Sequence, residues 1–254
     1  MIPLRAEAYK FGWELRRYAF NYTAGLAAEA VFMGGLYFSF SLLGRPAGTA
    51  FVGLLLWFFA RGAMSDASNI ISEERHLGTF ERVSAAGPSL AELLAARLAV
   101  NFAFESTRTL LLAAALAAVF APPFAPLLAP AALPGVLAAG ALTVACLYGW
   151  GFLAAALQIR WKKTGALVPL AEYAMLVFSG IIFDTSLLGG VEPLALLLPL
   201  TWSVRAAEAA YAGAAAGPAL AGLAVHAALA WAAGLALFRA SVRATKRSGE
   251  YGFY

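Results

Sequence analysis

SDASNIISEERHLGTFERVSAAGPS, residues 65–89, is the one long charged island in an otherwise apolar chain. Acids and bases alternate through Glu73, Glu74, Arg75, Glu81 and Arg82 around a break at Gly78 and Thr79, with apolar segments on both sides. Such a segment cannot sit in lipid. Ile70, Ile71, Leu77 and Phe80 are spaced so that a short helix would show an apolar edge to a partner while its charges face water. Gly78 is the expected end of that helix, because glycine takes the left-handed C-cap conformation without steric cost. The island reads as a docking knuckle on the inner side of a membrane.

Working outward, the chain is 62% hydrophobic and only 13% charged over its 254 residues, with a mean hydropathy of +0.76. An ordinary soluble domain is charged at about a quarter of its positions, so the composition indicates an all-α membrane protein. The length accommodates several spans of about 20 residues each and leaves no room for a soluble catalytic domain. Cys146 is the sole cysteine and sits in an apolar run, where it reads as packing. Arg5, Glu7, Lys10, Glu14, Arg16 and Arg17 stand where a signal peptide would need its apolar core, so the first span is expected to be retained.

Upstream of the island, Leu4, Ala8, Phe11, Leu15 and Tyr18 recur at steps of four and three, predicting an interfacial helix over residues 4–19. Tyr9 and Trp13 suit the headgroup level. The first span is expected at 22–43, broken only by Glu29, with a tight exit at 44–48. The second is expected at 49–64, where Arg61 can snorkel to the interface, and it delivers the chain to the coupling loop 65–89.

Downstream, the third span is expected at 90–120 and carries Arg97, Glu105 and Arg108. Pro122, Pro123, Pro126, Pro130 and Pro134 predict a short irregular turn. A Gly- and Ala-rich fourth span is expected at 135–157, stopped by Arg160, Lys162 and Lys163. A fifth is expected at 164–183 with Glu172 in its middle, and a sixth at 219–238. Between these two, the apolar run 194–200 is too short to cross and is bracketed by Pro193 and Pro199, which predicts a half-inserted external hairpin.

Lys and Arg counted by side give the orientation. With a cytoplasmic N-terminus, one face collects Arg5, Lys10, Arg16, Arg17, Arg61, Arg75, Arg82, Arg97, Arg160, Lys162, Lys163, Arg239, Arg243, Lys246 and Arg247; the other has Arg45 and Arg205, with Arg108 in the membrane. Both termini and the island are therefore expected inside. The net charge of +4 is a topology signal and gives no indication of nucleic acid.

The island resembles the cytoplasmic loop of the ABC type-2 (ABC-2) transporter permeases, the six-span membrane subunits of ATP-binding-cassette exporters. Their I-x-E-E-R-x-x-G-T-x-E-R pattern is met by Ile71, Glu73, Glu74, Arg75, Gly78, Thr79, Glu81 and Arg82. FSGIIFDTSLLGGVEPLALLLPLTWSV, residues 178–204, is similar to that family's end of span five and re-entrant hairpin, through Phe178, Ser179, Gly180, Phe183, Pro193, Leu198, Pro199, Leu200 and Thr201. The family usually has proline where Asp184 stands. The resemblance implies an exporter half in the cytoplasmic (inner) membrane of a prokaryote, working as a homodimer or beside a second permease. Residues 70, 71, 73–75 and 77–82 would then form the coupling helix on an ATPase subunit present in two copies.

The residues themselves support that division of labour. No G-x-x-x-x-G-K-[ST] loop occurs, so ATP and Mg belong to the partner and this chain is expected to carry no cofactor and no metal. An intramembrane protease would need G-x-S-x-G with a histidine, or H-E-x-x-H; neither is present. Glu73 and Glu74 resemble the start of an E-E-x-x-x-R motif, but Gly78 occupies the arginine position. A channel or membrane anchor working without an ATPase is the alternative.

Charges within the spans are the remaining candidates. Glu105 and Arg108 share a helix face and can neutralise each other. Glu29 and Glu172 lack a sequence neighbour, and a lone carboxylate in lipid costs about 2.5–3.5 kcal/mol, so both are expected to face the bundle and to pair with Arg108 or form a polar patch on a substrate path. His226 reads as a packing residue. Within that resemblance, the short, weakly charged external loops leave little room for a large external domain, and a small amphipathic or lipid-like cargo is expected.

Overall fold

In the computed structural model, residues 2–42, 47–85, 89–120, 130, 133–161 and 164–249 are described. The expected exit at 44–48, most of the proline turn at 121–134, and Lys162 and Lys163 lie outside or partly outside these residues. The elements are α1 (Ile2–Arg17), α2 (Ala19–Leu42), α3 (Ala47–His76), α4 (Phe80–Ala85), α5 (Leu90–Phe120), α6 (Leu133–Trp161), α7 (Leu167–Phe178), a 3-10 turn (Thr185–Val191), α8 (Glu192–Ala195), α9 (Pro199–Tyr211) and α10 (Gly217–Ser248). Among the described residues there is no strand. Among the described residues five helices, α2, α3, α5, α6 and α10, are long and apolar enough to cross a bilayer, so the chain is an all-α, multi-pass membrane protein.

α10 runs to Ser248, ten residues past the expected end of the sixth span at 238, and two further departures from the expected boundaries bear on the site. The second span does not stop at residue 64: α3 continues unbroken to His76, 30 residues or about 45 Å. A bilayer core of about 30 Å cannot contain it, so the island begins as the protruding end of a span. The fifth element is shorter than expected: α7 covers 12 residues, about 18 Å, and does not cross by itself. Counting apolar residues over 164–183 overlooked the stop at Ser179 and Gly180, where Gly180 takes φ +92°. Asp184 then caps the 3-10 turn by accepting from the Ser186 N–H at 2.8 Å.

α3 is the central post, packed on α2, α5, α6, α7 and α9. Trp57 and Phe51, each 1% exposed, anchor a core with Met33, Leu112, Leu147, Met175 and Leu200. The Trp57 indole N–H donates to the Glu172 carbonyl at 2.7 Å, tying α3 to α7. α6 and α10 make the closest helix pair, because glycine lets their backbones meet: a Cβ on Gly149 would fall 2.8 Å from Ala230, and one on Gly234 would fall 2.5 Å from the Gly149 carbonyl oxygen. The hairpin residues support α9 from within. Thr201 and Ser179 are buried, the Thr201 hydroxyl donates to the Ala195 carbonyl, and Pro199 opens the helix where its missing N–H costs nothing.

Candidate functional site

α3 ends in a Schellman closure. The Thr79 N–H donates to the Glu74 carbonyl at 2.9 Å and the Gly78 N–H to the Arg75 carbonyl at 3.1 Å, with Gly78 at φ +67°. The chain reverses there and α4 folds back, burying Phe80 beside Ile71. The knuckle is thus the capped end of a span, with no separate helix before Gly78.

Its charges divide into two sets. Glu74 and Arg75 were expected to face water and a partner; they are 5% and 4% exposed and engage this chain itself. The Glu74 carboxylate takes Arg97 Nη1 at 2.6 Å and the Thr79 hydroxyl. Arg97 Nε also binds Glu7 of α1 at 3.0 Å, so one guanidinium joins α1, α3 and α5. Arg75 donates to the carbonyls of Gln158 at 2.9 Å and Ile159 at 2.8 Å, in the last turn of α6 where a cation meets the negative end of the helix dipole, and lies over the Phe80 ring at 5.0 Å. Glu73, His76, Leu77, Gly78, Glu81 and Arg82 form the exposed tip, while Ile70 and Thr79 are half-buried. Spacing in a single chain gives no register against α5 and α6, so the reading could not tell which charges turn inward.

α1 lies on α5 through Glu7 and through Phe11, whose ring meets Phe104 edge-on at 5.1 Å. Leu4, Tyr9, Trp13 and Tyr18 stay exposed. Between α1, α2, α3 and α5 is a polar cleft of about 290 Å³. Glu7, Lys10, Glu14, Asp66, Glu73 and Asn101 line it, and the Tyr22 hydroxyl donates to Glu14 at 3.0 Å.

At the deep end of this cleft, Arg108 gathers the intramembrane acids. It pairs with Glu105 at 2.9 Å and with Glu29 of α2, and lies over the Phe58 ring at 5.3 Å. Glu172 does not join this group. It accepts from Ser65 and lies 4.0 Å from Arg61, so the carboxylate of α7 is held by α3. His226 stands apart on α10, its Nδ1 3.0 Å from the Gly222 carbonyl oxygen and its ring 5.9 Å from Trp202. Arg97 and Asp66 are not among the expected site residues; Arg97 enters the sequence analysis only as an inner-side charge near the start of the third span.

The chain matches no protein-family model and no curated protein sequence.

Proposed function

We propose that this chain is the permease subunit of an ATP-binding-cassette exporter, moving a small amphipathic or lipid-like solute outward and driven by a separate ATPase. In this reading both termini and the knuckle are cytoplasmic, the membrane is the inner membrane of a prokaryote, and α7 with the hairpin through α9 supplies the sixth pass and re-entrant element. Two permease and two ATPase chains form the working unit.

The observation that supports it most is the continuity of α3, a span whose exposed tip is tied through Arg97 and Arg75 to α1, α5 and α6. A push on Leu77 and its neighbours would be delivered to four helices as one body, the rigid-element motion such transporters require. The interaction surface is the exposed tip, Glu73, Leu77, Glu81 and Arg82, with Glu74 and Arg75 as the lock behind it. Co-expression with the ATPase encoded nearest to it, followed by a vanadate-sensitive transport assay in vesicles, tests the reading. Vanadate-sensitive transport that needs both chains is expected; transport by the purified permease alone would identify a channel.

A further inference from the structure

The backbones of α5 and α6 stay apart on the side away from α1, and the space between them opens as an apolar groove of about 290 Å³. Ala95, Ala99 and Phe102 form one wall, Tyr148 and Phe152 the other, and Trp231 of α10 closes the back. Phe102 and Tyr148 meet edge-on at 5.9 Å across it. Behind the groove, Phe152 packs on the buried Phe238 of α10, ring to ring at 5.4 Å.

The basic tail of α10 begins at the next residue. Arg239, Arg243, Lys246 and Arg247 are all exposed, none is ion-paired among the described residues, and α10 contains no acid to balance them. Trp231 precedes Arg239 by eight residues and Arg243 by twelve, about 12–18 Å along the helix. Half of a bilayer core is about 15 Å. An apolar slot and a positive cluster are therefore separated by the length of one lipid tail.

We propose that this groove is a specific site for an anionic glycerophospholipid, with one acyl chain between α5 and α6 and its phosphate on Arg239 and Arg243. The site needs only that the chain spans a bilayer and is independent of the transport reading.

The test places the full-length protein in phosphatidylcholine nanodiscs doped with a phospholipid bearing a diazirine halfway along one acyl chain, as phosphatidylglycerol or as phosphatidylcholine. Photo-adducts are mapped by peptide mass spectrometry. Adducts in residues 95–102 and 144–152 are expected with the phosphatidylglycerol probe, exceeding those from the neutral probe by about fivefold for each arginine engaged. Arg239→Gln with Arg243→Gln, both exposed, should bring the two probes level. Ala99→Phe should empty the groove of label. Equal labelling by the two probes in the unaltered protein would overturn the proposal. So would adducts no denser in the groove than at exposed Leu110, Leu137 and Leu229, or an Ala99→Cys disulfide between copies that leaves the groove unlabelled.

Discussion

Arg97 and Glu74 meet at 2.6 Å across the contact between α5 and α3, in a position where both are largely shielded from water. The pair makes the knuckle part of the bundle. Removing one partner strands the other, and a broken buried pair costs about 3–5 kcal/mol. Arg97→Ala should therefore sharply lower the denaturation midpoint in detergent. Arg97→Lys should recover only part of the loss, because an ammonium lacks the fork that reaches Glu7 and Glu74 together. For the same reason Glu74→Ala with Arg75→Ala reports on folding, and a lost partner in that variant does not identify a docking surface.

Substitutions at the tip should behave in the opposite way. Leu77 is 66% exposed, and Glu81 and Arg82 are exposed on α4. Leu77→Asp, or Glu81→Arg with Arg82→Glu, should change stability by no more than about 0.5 kcal/mol. Co-purification with the proposed ATPase partner should nevertheless be lost, which gel filtration and ATP hydrolysis of the eluted complex would measure.

Arg108 balances two carboxylates, Glu29 and Glu105. Arg108→Ala leaves both acids without their cation, and the expected cost is again about 3–5 kcal/mol. Glu29→Gln should be milder, since Glu105 still neutralises the arginine. The folded fraction recovered from membranes, compared across the two variants, checks the order.

The contact between α6 and α10 depends on glycine. Gly149→Ala and Gly234→Ala each place a methyl against backbone at 2.8 Å or less, and overpacking of this kind costs about 1–3 kcal/mol. Gly140→Ala, on the same α6 helix but with nothing within 4 Å of its Cβ, should be neutral or slightly stabilising. Thermal unfolding of the three variants in one detergent separates them.

Hydropathy made the long spans legible, because each must satisfy its backbone within itself and present apolar side chains to lipid. Gly78 was legible as a stop for a steric reason that needs no knowledge of the fold. The α3 helix was misjudged because Arg61 and Asp66 look like the end of a span, yet Arg61 faces Glu172 and Asp66 faces the cleft beside Asn101. Polar residues that pair inside a bundle are invisible to a count of apolar residues. The inward turn of Glu74 and Arg75 is another case: their partners, Arg97 and the end of α6, come from sequence-distant helices, and no local pattern encodes such a meeting. Glu29 and Glu105 were legible as acids needing a cation, whereas the pairing of Glu172 with Arg61 joins two sequence-distant helices, α7 and α3.

The proposed grip of a separate ATPase on the tip of α3 is tested most directly by a photo-crosslinker at position 77. With p-benzoylphenylalanine replacing Leu77, irradiation of native membranes should yield an adduct to a polypeptide carrying a G-x-x-x-x-G-K-[ST] loop. The adduct should change in yield with nucleotide and be absent when the crosslinker replaces Leu137, exposed on α6. Transport that proceeds while position 77 captures no such polypeptide, or reaction of position 77 only from the outer surface, would contradict the account.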